Sequence, residues 1–136
     1  MRLETESGLV IENPTDEQIR DALAGLNGQE YGRNTFATLT RSAEPPAYMQ
    51  TAGGPKEFTV EYREGEKQYG TPDDVAYENA VRLFESYNRN DEAWRTMVEW
   101  PELIEQTREP IWTKVLAVAV TLLVLVAIVL LYLSTR

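Results

Sequence analysis

Residues Val115 to Leu133 (VLAVAVTLLVLVAIVLLYL) form an apolar run without a charge, a proline or a glycine. As a helix rising about 1.5 Å per residue, the run covers roughly 28 Å, close to the hydrocarbon thickness of a bilayer. Buried helices of soluble domains are shorter and keep a polar face. Trp112 and Lys114 sit at one end of the run, and Tyr132 and Arg136 at the other. The two rings would lie about 30 Å apart along the axis, each at headgroup level. A transmembrane helix over 113–133 is therefore expected, reached through a charged, proline-bounded connector at 105–112. Function is then sought in residues 1–104.

The N-terminus, MRLETESG, lacks an apolar stretch and carries Glu4 and Glu6, unlike a secretory signal. The expectation is a single-pass protein of the cell inner membrane, tail-anchored, with its N-terminal domain cytoplasmic. Arg108 and Lys114 before the run, against Arg136 after it, lean the same way.

The chain has 136 residues, room for one small domain ahead of the tail. It has no cysteine and no histidine, which excludes disulfides, thiol nucleophiles, imidazole bases and the usual zinc sites. No cofactor or metal is expected. Net charge is −9; the tail from Ile111 holds Lys114 and Arg136 and no acid, so the preceding part carries −11. Such a domain repels nucleic acid and suits a basic partner, although the same charge also serves solubility.

The rest of the chain alternates between strand and helix signals. Short extended segments are expected around Leu3 and Leu9–Ile11, turned by Ser7–Gly8. Thr15 and Gln18 form a capping box, and Ile19, Ala22, Leu23 and Leu26 share the face of a helix ended by Asn27–Gly28. Strands are expected at Thr35–Arg41 and Tyr48–Thr51, then at Glu57–Arg63, where Phe58, Val60 and Tyr62 alternate with polar residues. A last short strand follows near Gln68–Tyr69, completing an antiparallel meander. Thr71-Pro72-Asp73-Asp74 reads as the opening of a second helix, with a stripe of Val75, Ala76, Ala80, Leu83, Phe84 and Tyr87. Glu92–Trp100 reads as a final strand, which would place Trp94 and Trp100 on one face as core. The fold class is thus α+β: a small antiparallel sheet with two amphipathic helices, followed by one C-terminal transmembrane helix.

No spacing singles out a catalytic group, and a non-enzyme is expected. Asp73–Asp74 suits a helix dipole better than a metal, and Gly53–Gly54 lacks the lysine and helix of a phosphate loop. The candidate partner-binding face comprises Glu57, Thr59, Glu61 and Arg63 on one side of the alternating strand, extended by Glu64 and Glu66 at its hairpin. In the span, Ala117 and Thr121 form a small-xxx-small pair that would let two helices meet in a homo-oligomer. A hydrogen bond from Thr121 to its own helix is the plainer reading.

The ordered set Asn13-Pro14-Thr15, Tyr48 before Gly53-Gly54-Pro55, FTVEYREG at Phe58–Gly65, Leu83-Phe84-Glu85-Ser86-Tyr87, and Trp94-Arg95 before Glu99-Trp100 resembles the Imm1 family of bacterial immunity proteins. The resemblance covers roughly residues 3–104. It implies an α+β fold and a role beside polymorphic toxins, blocking a cognate effector that often acts on nucleic acid. The apolar tail departs from the family's pattern.

Two functions follow as expectations. The first is a membrane-anchored immunity protein that neutralises a cognate toxin, its acidic domain covering the toxin's basic substrate surface. The alternative is a tail-anchored anti-phage (antiviral) defence effector, whose domain senses a defence-system partner or self-assembles and whose tails disrupt the membrane. The span lacks the polar stripe that lines a water-filled pore.

Overall fold

The computed structural model describes residues 1–28 and 34–103, all within the unit Met1–Ile104. The predicted connector and span, with Trp112, Lys114, Thr121, Tyr132 and Arg136, lie outside the described residues. Among the described residues no helix is long and apolar enough to cross a membrane.

The elements run β1 (Arg2–Thr5), β2 (Val10–Glu12), α1 (Asp16–Ala24), β3 (Phe36–Ser42), β4 (Ala47–Gly53), β5 (Glu57–Glu64), β6 (Lys67–Gly70), β7 (Val75–Ala76), α2 (Tyr77–Arg89) and α3 (Trp94–Met97). The strands form one antiparallel sheet in the order β2-β1-β3-β4-β5-β6, with β7 beside β5. The α+β class and the antiparallel meander are as the sequence predicts.

Strand alternation divides the sheet into two faces. Leu3, Ala37, Leu39, Met49, Phe58, Val60 and Tyr62 point inward and are buried. Against them pack Ile19, Ala22, Leu23 and Leu26 from α1 and its exit, with Ala80, Leu83, Phe84 and Tyr87 from α2. Both helices thus cover the same face, and the opposite face has no helix on it among the described residues.

The capping box forms as read: the Gln18 amide N–H donates to Thr15 Oγ1, and the Thr15 N–H donates to Gln18 Oε1 at 2.9 Å. The helix ends at Ala24 with Gly25 as its cap, earlier than Asn27–Gly28. Arg20 on α1 ties down the almost buried Glu85 on α2 at 2.8 Å. Asn90, at φ 58°, caps the end of α2 in a left-handed conformation that asparagine tolerates.

Two expectations are corrected. Thr71 does not open a helix. Its N–H donates to the Val60 carbonyl at 2.9 Å, and its Oγ1 accepts from the Val60 N–H. Val75 then pairs with Phe58, so the chain runs along β5 until Ala76 and α2 begins at Tyr77. Backbone bonds to a sheet edge satisfy groups that a first helical turn would leave open, and they outweigh the local helix-start signal.

Nor is Glu92–Trp100 a strand. The Asp91 carboxylate accepts from the Ala93 N–H, and Ser86 Oγ accepts from the Trp94 N–H at 2.9 Å, winding one turn as α3. The edge of β6 is met instead by the next residues: Tyr69 bridges Glu102, and the Leu103 N–H donates to the Gln68 carbonyl. Trp94 is fully buried and Trp100 partly so; their rings meet edge to face at 5.8 Å. The tryptophan pair is core-facing, as expected, but a helical turn rather than a strand brings it together.

Candidate functional site

The face left bare by α1 and α2 carries Glu57, Thr59, Glu61 and Arg63 of the candidate residues. Its strand register sets Glu4, Thr38, Gln50 and Glu61 in one row, with Arg2, Thr40, Tyr48 and Arg63 in the next. Phe36, Ala52 and Thr59 make a third. Glu57, Thr59, Glu61 and Arg63 therefore share the outward face, as the alternation predicts.

Glu61 is the most constrained of them. Its Oε2 accepts from Gln50 Nε2 at 2.7 Å and from Gln68 Nε2 at 2.8 Å, so amides on β4 and β6 hold it from both sides. Asp74 reaches the same face, accepting from Thr59 Oγ1 at 2.9 Å. Arg63 folds back, its Nε donating to the Gly65 carbonyl. Arg2 lies between Glu4 and Glu12. The carboxylates of Glu4, Glu12, Glu57, Glu61 and Asp74 outnumber the guanidinium groups of Arg2 and Arg63, so the face is negative.

Glu64 does not extend this face. Even-numbered positions of β5 point to the helices, and the Glu64 carboxylate pairs there with Arg95. Arg95 also pairs with Glu92, and its guanidinium lies 4.3 Å from the centre of the Trp94 ring. Burial lowers the Arg95 pKa, but the hydrogen bonds to Glu64 and Glu92 more than offset it, and the group stays charged. Glu66 is exposed at the hairpin tip, with no ion pair among the described residues.

Strand-by-strand reading missed Phe36, Gln50, Ala52, Gln68 and Asp74 as members of the site. A shallow open cavity of about 470 Å³ lies on the bare face, walled by Phe36, Gln50, Ala52, Thr59 and Glu61. Phe36 is 44% exposed there, an apolar ring beside its strand partner Ala52. Phase alone would have placed Phe36 with Thr38 and Thr40, and Gln50 with Tyr48 and Ala52. Which strands lie beside β5 requires the sheet order.

Beneath the helix side lies a second cluster. Tyr62, Tyr69, Tyr87, Trp94 and Trp100 meet with ring centres 4.6 to 5.8 Å apart. Arg41 stacks over Tyr87 at 4.3 Å. Burial pushes the Tyr87 phenol up to about 12. Its hydroxyl, the Trp94 indole N–H and Arg41 Nε have no hydrogen-bond partner among the described residues. This cluster is packed interior that holds α3 to the sheet.

No family model, curated protein or solved structure matches this chain.

Proposed function

We propose that this protein is an immunity-type inhibitor, held at the cytosolic face of a membrane by residues 113–133, that binds and neutralises a cognate protein toxin. One observation supports the reading most: an antiparallel sheet whose second face is, among the described residues, bare, negative and indented. Domains normally cover both faces of an apolar sheet, but a polar sheet face can remain in water and is then free for a partner. A toxin that acts on nucleic acid must be basic where it grips phosphate, and the bare face is its electrostatic complement. The likeness to Imm1 immunity proteins points the same way.

Co-expression with the product of the neighbouring gene tests it. The protein should rescue growth and co-purify with the toxin. Neutralising Glu57 and Glu61 together should slow association and flatten its salt dependence, because steering by charge is screened by salt. Cell killing by this protein alone under a trigger, undiminished in that double variant, would overturn the reading and make the tail the active part.

A further inference from the structure

We propose that the cavity on the bare sheet face is a seat for one arginine side chain of the partner protein. The inference rests on the inhibitor reading and names the chemistry at its centre.

The acceptors are the first reason. Gln50 and Gln68 each direct an amide N–H at the same oxygen of Glu61, an orientation the carboxylate dictates, since a carboxylate only accepts. Each amide therefore turns its carbonyl oxygen away from Glu61. The second Glu61 oxygen and the Gln50 carbonyl are the acceptors of the cavity wall, on two adjacent strands, and Gln68 on the third holds Glu61 in place. A guanidinium offers five N–H donors in a planar fork and matches a spread of acceptors better than a compact ammonium.

The walls are the second reason. Phe36 and Ala52 give the cavity an apolar side, opposite the polar side made by Gln50 and Glu61. A planar cation lies well against an aromatic face while its edge donates to oxygen. The protein itself uses this arrangement elsewhere, with Arg41 over Tyr87 and Arg95 over Trp94. Charge is the third. Asp74 is bonded to Thr59 of the cavity wall, and Glu4 lies in the same cross-strand row as Gln50 and Glu61, a negative setting that favours a cation and disfavours phosphate or a carboxylate.

The probe is the blocked peptide Ac-Gly-Arg-Gly-NH2, titrated into the isotopically labelled full chain in detergent micelles. Side-chain amide resonances of Gln50 and Gln68 should shift saturably, and the lysine analogue should bind more weakly. Glu61→Gln keeps the side-chain shape and should weaken peptide binding about tenfold, the loss of a charge-assisted pair. Phe36→Ala, a change outside the core, should weaken it as well, and Glu66→Gln at the hairpin tip should not. Shifts spread over all exposed carboxylates, or undiminished by Glu61→Gln, overturn the proposal. Co-expression separates it from the reading beneath it. If wild type, Glu61→Gln and Phe36→Ala all protect equally against the toxin, the seat is wrong and the inhibitor reading stands. If the peptide binds as expected but no toxin is neutralised, the inhibitor reading fails and the seat remains.

Discussion

Glu64 and Arg95 pair across the helix side of the sheet, joining the end of β5 to the single turn of α3. The pair makes Glu64 a structural residue, although it lies three positions from Glu61 in the same strand. Glu64→Gln should lower stability by about 0.5–1 kcal/mol, the range of a partly exposed ion pair. Partner binding should be unchanged. Urea midpoints together with binding curves for Glu61→Gln, Glu64→Gln and Glu66→Gln check the division of labour. A binding loss in Glu64→Gln without a stability loss would contradict it.

Tyr87 gives a pH signature. The unfolded phenol titrates near pH 10, whereas burial holds the folded one to about 12. Between these values the unfolded chain binds fewer protons than the folded chain, so stability falls as pH rises. Below pH 10 the contribution is fully present. Tyr87→Phe removes a buried hydroxyl that has no partner among the described residues. It should leave stability at pH 7 unchanged or raised, and should flatten the alkaline fall. Thermal unfolding from pH 8 to 12 measures both.

Phe84 is fully buried between α2 and the sheet. Phe84→Ala should cost about 3–5 kcal/mol, from lost transfer free energy and the cavity left behind. A urea midpoint within error of wild type would remove Phe84 from the core.

Gly54 occupies φ +103°, and a Cβ there would stand 2.6 Å from the Leu26 carbonyl oxygen. Both strain and collision set alanine against this position, with the obstacle in the backbone rather than in a movable side chain. Gly54→Ala should destabilise by about 1–3 kcal/mol, the usual range for overpacking. Gly65→Ala, at φ +61° with open space around it, should cost less, and the difference between the two melting temperatures isolates the collision.

Among the described residues, every buried core residue lies between Leu3 and Trp94. A chain ending at Ile104 should therefore unfold cooperatively on its own. Aggregation of that fragment, or a broad non-cooperative transition, would show that the tail is needed for the fold.

What could be read directly was what depends on near neighbours. Thr15 and Gln18 cap a helix because they are three residues apart. Phe58, Val60 and Tyr62 are buried because a strand alternates. The outward set Glu57, Thr59, Glu61 and Arg63 follows from the same period. Where distant groups compete for the backbone, local signals misled. Thr71–Asp74 has the composition of a helix start, but Val60 and Phe58 offered its backbone a strand partner. Glu92–Trp100 has strand-like aromatics, but Ser86 and Asp91 wound it into a turn.

The sequence by itself determined the periodicities, the Thr15–Gln18 capping box, the negative charge and the apolar run at Val115–Leu133, because each is a property of residues within a few positions of one another. Only the tertiary structure decided that α1 and α2 share one face and leave the other bare. It alone brought Gln50 and Gln68 to the two sides of Glu61, and sent Glu64 to Arg95. The physical reason is that side-chain direction repeats within a strand, whereas neighbours across strands depend on sheet order and register. Those are settled by which packing buries the most apolar surface with its backbone groups paired, a comparison over the whole domain.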